Sequence, residues 1–198
     1  MDIKKLSLGP FQTNCYIVSE GHETLIIDPS AKGELIAQSI EPDQKVLAIL
    51  LTHGHFDHFG GAEFLSKHFD CPVYIHVDDA EMLEDPKKNY SMQRNLRLSE
   101  RVVTIEDGIL RIGSYLISVI HTPGHSEGSV CYHINDVLFS GDLLFKTSIG
   151  RTDLYRGSQS KIIKSLQMIL SMKDELTILP GHGPKTTLGY ERKYNPYL

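Results

Sequence analysis

Short apolar runs alternate with polar turns along this chain. CYIVSE (15–20) and TLIIDP (24–29), parted by the short GHE stretch, predict a β-hairpin. KVLAILL (45–51) is apolar at successive positions, so it predicts a strand buried on both faces. CPVYIH (71–76), YLISVI (115–120), VCYHI (130–134), VLFS (137–140) and LTILP (176–180) predict five more strands. Helical patterns lie between them in AKGELIAQSI (31–40), GAEFLSKHF (61–69), HVDDAEMLEDP (76–86) and SQSKIIKSLQMILSM (158–172). In the last of these, Ile162, Ile163, Leu166, Ile169 and Leu170 follow helical spacing. The mixture predicts an α/β layered domain.

A weak internal echo accompanies the pattern. Residues 15–28 (CYIVSEGHETLIID) and 131–142 (CYHINDVLFSGD) each read as Cys-Tyr, an apolar strand, a polar turn, a second apolar strand and a closing Asp. Two ordinary hairpins would look the same. Two similar halves with a shared site at their junction is the other reading.

Composition narrows the class. At 198 residues, with 40% hydrophobic and 23% charged residues, the sequence reads as one domain, 1–198, of an ordinary globular protein. A formal net charge of −5 and the lack of any Lys/Arg block argue against a nucleic-acid partner. No apolar leader core and no run of about 18 apolar residues occur, so the expectation is a cytoplasmic protein with no membrane partner. The cysteines, Cys15, Cys71 and Cys131, are odd in number and lie in or beside strand-like runs, which predicts buried free thiols. The sequence carries no signal of oligomeric state.

The candidate chemistry lies at strand ends. VLAILL enters THGHFDH (52–58), YLISVI enters HTPGH (121–125), VLFS enters GD and LTILP enters GH. Strands running the same way collect their ends at one edge, where loops carry function. His53 and His55, two apart, can direct both imidazoles to one side, and Gly54 between them permits a tight path. Asp57 and His58 can then face a different centre. Adding His125 to His53 and His55 gives the three nitrogen ligands typical of a catalytic zinc with one open position. Adding His182 to Asp57 and His58 gives a mixed set for a second ion, and Asp142 can bridge the two. Unpaired His and Asp beside apolar strands would be costly to desolvate without coordination. His22, His68, His76, His121 and His133 read as ordinary surface or hydrogen-bonded histidines. Asp28, closing LIIDP, reads equally as an acceptor that orients a ligand imidazole and as a turn former before Pro29.

THGHFDH, HTPGH, SGD and PGH, in this order and at strand ends, resemble the metallo-β-lactamase superfamily across nearly the whole chain. LFSGDLLFKTSIGRTDL and GHGPKTTLGYERKYNPYL are similar to the small bacterial glyoxalase II-like hydroxyacylglutathione hydrolases. The resemblance implies an αββα sandwich, two mixed β-sheets flanked by helices, with a dinuclear site between the sheets. It also implies hydrolysis of a small-molecule thioester by a hydroxide shared between two divalent ions, with Asp57 as the catalytic proton acceptor and Arg151 as a cation for a carboxylate of the substrate. Zinc is the expected metal; His and carboxylate donors suit iron and manganese too. Full-length glyoxalase II continues into a C-terminal helical region that helps bind glutathione, whereas this sequence ends at Leu198. The GRTD stretch is also similar to persulfide dioxygenases of the same fold, which use one iron. A non-enzymatic metal-dependent binding module is the reading from another class.

Overall fold

The computed structural model describes residues 1–198. Its first sheet runs in the order of the chain: β1 (Asp2–Leu8), β2 (Thr13–Glu20), β3 (Glu23–Ile27), β4 (Lys45–Leu50), β5 (Val73–His76) and β6 (Val102–Ile105). The second sheet comprises β7 (Gly108–Ile112), β8 (Tyr115–His121), β9 (Val130–Ile134), β10 (Val137–Gly141), β13 (Thr177–Pro180) and β14 (Thr186–Thr187), ordered β14-β13-β10-β9-β8-β7. A small hairpin, β11 (Leu144–Phe145) with β12 (Ser148–Ile149), follows β10. The helices are α1 (Gly33–Gln38), α2 (Phe56–Phe59), α3 (Ala62–Phe69), α4 (Ala80–Glu84), α5 (Gln159–Ile169) and α6 (Leu188–Tyr194). None is long and apolar enough to cross a membrane.

Side-chain alternation along the strands explains the layering. Ile49 and Leu51 point from the β4 segment into an apolar layer shared with Ile36 of α1 and Leu65 of α3. Ala48 and Leu50 point the other way, onto Ile117, Val119, Tyr132 and Phe139 of the second sheet. On the far side of that sheet, Cys131, Leu138 and Ile178 pack against Ile162, Leu166 and Ile169 of α5. The result is helix, sheet, sheet, helix, the αββα sandwich. Ile163 departs from the predicted helix face: it is exposed, because the inward stripe of α5 runs through 162, 166 and 169. The pattern at 76–86 is broken into a short turn, Val77–Asp79, and α4. All three cysteines are buried and free.

The internal echo is visible in the pairing. β1, β2 and β3 are successively antiparallel and β3 is parallel to β4. β8, β9 and β10 repeat that arrangement, and β10 is parallel to β13. Cys15 and Cys131 both face a helical layer, while Tyr16 and Tyr132 both face the space between the sheets. The loops leaving β4, β8, β10 and β13 meet at one edge of the sandwich.

Candidate metal centre

His53, His55 and His125 present ligand atoms within 4.8 Å of one another, as do Asp57, His58 and His182, and as do His53, His58 and Asp142. Asp142 lies between the sets: Oδ2 is 3.5 Å from His125 Nε2 and 3.4 Å from His182 Nε2, and Oδ1 is 3.4 Å from His58 Nε2. Asp57 Oδ2 is 3.5 Å from His182 Nε2 and 3.7 Å from His58 Nε2, and it accepts a hydrogen bond from Thr13 Oγ1 at 2.8 Å.

The outer edges of four imidazoles determine where their protons lie. His125 Nδ1 donates to the Arg151 carbonyl at 2.8 Å and His182 Nδ1 to the Phe11 carbonyl at 3.1 Å. His58 Nδ1 donates to Asp28 Oδ2 at 2.9 Å. Thr52 Oγ1 donates to Asp28 Oδ2 at 2.7 Å, so it accepts from His53 Nδ1 at 3.1 Å. Carbonyls and carboxylates only accept, so each of these rings, in its neutral form, keeps a bare Nε2 facing the centre. Asp28 therefore orients two imidazoles; it also occupies a left-handed turn, with φ 49°, where its carbonyl accepts from Ser30 N at 2.8 Å. Both readings of Asp28 hold together.

The donor set fits metal ions. His53 Nε2 and Asp142 Oδ1 are buried with no hydrogen-bond partner, and His55 turns Nδ1 inward, 2.9 Å from His125 Nε2. Buried polar atoms left unpaired cost about 1–3 kcal/mol each, a penalty that coordination removes. Burial, then the neighbouring histidines, hold His53 far below its ordinary pKa. Burial foremost, with His125 beside it, lowers His55 to about 3, so both rings are neutral and ready to bind a cation.

Phe11, Phe56, Tyr90 and Leu154 are the apolar and aromatic lining of the cleft of about 260 Å³ that opens over these ligands, and Arg151 lines it too. The Arg151 guanidinium is exposed and forks onto Asp153, with Nε and Nη2 each 2.7 Å from a carboxylate oxygen. Lys146 lies elsewhere, over the Tyr190 ring. The structure thus gathers His53, His55, Asp57, His58, His125, Asp142, His182 and Arg151 around one cleft. Thr13, Tyr90 and Asp79 carried no sequence signal, because their partners are distant in the chain. Outside the cleft, His76 and His121 stack at 4.1 Å with Asp78 nearby. There, His121 Nε2 donates to the Glu127 carbonyl and His76 Nδ1 accepts from Asp78 N.

The metallo-beta-lactamase superfamily model matches residues 8–182, and the chain belongs to that superfamily. It is 33% identical to the hydroxyacylglutathione hydrolase GloC of Haemophilus influenzae, covering 100% of this chain and 98% of that protein. Its fold superposes on the crystal structure of BLEG-1 B3 metallo-beta-lactamase with a TM-score of 0.93 and 40% identity, over 99% of both chains. It also superposes on TTHA1623 in a di-iron-bound form, with a TM-score of 0.87 and 38% identity, over 98% of this chain and 100% of that one.

Proposed function

We propose that the protein is a dinuclear metallo-hydrolase that cleaves a small-molecule thioester. The observation that supports this reading best is the inward-facing Nε2 atoms of His53, His58, His125 and His182 around the Asp142 carboxylate. His53, His55 and His125 would hold one ion, Asp57, His58 and His182 the other, and Asp142 both. Ions bound there would supply Lewis acidity and lower the pKa of water to about 7. Zinc is the proposed metal, and the di-iron form of the relative TTHA1623 makes iron the competing assignment.

The chain's own groups do the rest. Thr13 engages Asp57 Oδ2, leaving Oδ1 to orient the attacking water and accept its proton. Phe11, Phe56 and Tyr90 shield the reacting carbonyl from bulk water and receive an apolar part of the substrate. Arg151 offers a planar fork to a substrate carboxylate, in exchange for Asp153. A thiolate leaving group is a poor base, so no general acid beside it is required. The relation to GloC favours a glutathione thioester of a hydroxy acid.

Elemental analysis and a thiol-release assay test the reading together. Purified protein should carry two transition-metal ions and release thiol from a hydroxyacyl-glutathione thioester, with chelation abolishing both. A chromogenic β-lactam and glutathione persulfide serve as the other arms. Failure to release thiol from any thioester with both ions bound overturns the proposal, as does oxygen uptake on the persulfide by protein holding one iron.

A further inference from the structure

Each of His53, His58, His125 and His182 has an acceptor behind its outer nitrogen, whereas His55 Nε2 is buried without one. Something other than an imidazole hydrogen bond must hold the His55 arm. The backbone supplies it: Gly54 N, between His53 and His55, donates to Asp79 Oδ2 at 2.9 Å. The same carboxylate reaches the other loop of the three-histidine set. Ser126 Oγ, on the residue after His125, donates to Oδ2 at 2.6 Å, and Gly128 N donates to Oδ1 at 2.7 Å.

Asp79 is fully buried. It comes from the turn after β5 in the first sheet, and its partners on 126–128 follow β8 in the second, so it joins the sandwich halves directly behind one set of candidate ligands. The glycines on both loops make room for it. A Cβ on Gly128 would lie 2.5 Å from Asp79 N and 2.8 Å from Asp79 Cβ, and one on Gly54 would lie 3.1 Å from the Asp79 carbonyl. All three groups that donate to the carboxylate are neutral. A buried carboxylate served only by dipoles is costly to keep, and a cation held by His53, His55 and His125 would offset that cost.

We propose that Asp79 is the positioning residue of the three-histidine position: it clamps the 53–55 and 125–128 loops together and lends its charge to the ion there, without touching the ion or the substrate. This rests on the dinuclear reading of the site but not on the thioester chemistry. Partners that orient metal ligands are worth roughly 10–100-fold in affinity.

The test reads zinc affinity, in competition with a chromophoric chelator, in two backgrounds that each leave one position intact. In His182→Ala protein, Asp79→Asn should weaken zinc binding tenfold or more, and Ser126→Ala should weaken it severalfold. In His125→Ala protein, Asp79→Asn should change affinity less than twofold. Near-ultraviolet circular dichroism checks the fold, and Ser126→Ala carries the test alone if Asp79→Asn does not fold. Equal weakening in both backgrounds would make Asp79 a general fold element and overturn the proposal. Unchanged affinity in the His182→Ala background overturns it as well. If His182→Ala protein binds no zinc with Asp79 intact, the dinuclear reading itself fails, and this inference with it. Thioester turnover enters none of these outcomes.

Discussion

Tyr16 and Tyr132 make the same hydrogen bond from opposite halves of the sandwich. Tyr16, on β2, donates its hydroxyl to the Pro180 carbonyl at 2.6 Å, where β13 gives way to His182. Tyr132, on β9, donates to the Leu51 carbonyl at 2.8 Å, where β4 gives way to His53. Each half thus fixes the backbone that launches the other half's ligands. The bonds differ in what remains when they are lost. Pro180 O also accepts from Asn14 Nδ2 at 2.9 Å, while removal of the Tyr132 hydroxyl strands the Leu51 carbonyl in the interior. Tyr16→Phe should cost about 1 kcal/mol and Tyr132→Phe about 2–3 kcal/mol, the difference between a lost bond and a buried group left unpaired. Chemical denaturation of the two variants checks the order, and equal losses would contradict it.

The ion-free protein should be most stable near pH 6.5. Burial opposes charge on His58 and His182, but carboxylates outweigh it: Asp142, Asp57 and Asp28 raise His58 to about 9, and hydrogen bonds that protonated His182 donates to Asp142 and Asp57 help raise it to about 10. A raised pKa gives stability that is complete below the ordinary 6.5 and lost as pH climbs through 9 and 10. His53 and His55 act oppositely. Their depressed pKa values mean that the unfolded chain takes up protons below 6.5 that the folded one refuses, so stability falls on the acid side. Asp57 and Asp142, both held low despite burial, add a further loss only below 3.8. Thermal unfolding after chelation should trace this maximum. Metal-loaded protein should lack the alkaline decline, because coordinated imidazoles have no such proton to lose.

Gly181→Ala should disable the centre without altering any candidate ligand. A Cβ there would stand 2.3 Å from Asp142 Oδ1 and 2.7 Å from His58 Cε1. Misplacing a reacting group by about 1 Å can cost on the order of 100-fold in rate. Turnover should fall by about that factor while the far-ultraviolet spectrum stays native. Wild-type turnover in this variant would mean that Asp142 has freedom the packing denies it.

Arg151 and Asp153 should have opposite effects on substrate affinity. Arg151→Ala should raise KM for a carboxylate-bearing thioester about fivefold, the weight of an exposed charge pair, with kcat and metal content unchanged. Asp153→Ala frees the fork and should lower KM for the same substrate. A small neutral thioester should respond to neither. If both thioesters respond alike, the anchor lies elsewhere, with Tyr155 the next residue to vary.

The strands that bury side chains on both faces, β2 to β5, β8 to β10 and β13, were legible because their apolar runs are continuous. β1, β6 and β7 lie largely at the sheet margins, and the burial of DIKKLSL, VVTI and GILRI is too sparse to stand out. α6 was invisible for another reason. Its inward face includes Glu191, buried and accepting from Thr186 Oγ1, Thr147 N and Asn195 Nδ2, so it lacks a continuous apolar stripe. The residues of the centre were legible because they sit at strand ends in short motifs. Asp79 was not, since two acidic residues at the head of a helical pattern look like solvent-facing charge. Gly54 was read as permitting a tight path between the two histidines, and close packing adds to that need: a Cβ would lie 2.7 Å from Met82 Cβ.

Repetition of the two halves stops at the ligands. The first half offers His53, His55, Asp57 and His58 from one continuous segment, the loop after β4 and the start of α2, and the second offers His125, Asp142 and His182 from three loops. Neither half can close either ion's shell alone. Ion affinity is therefore cohesion between the sheets: by mass action, every tenfold excess of metal over its dissociation constant adds about 1.4 kcal/mol against their separation. On the dinuclear reading, a chain starved of metal should open more often along this seam, and proteolytic clipping between the halves should then gauge metal supply.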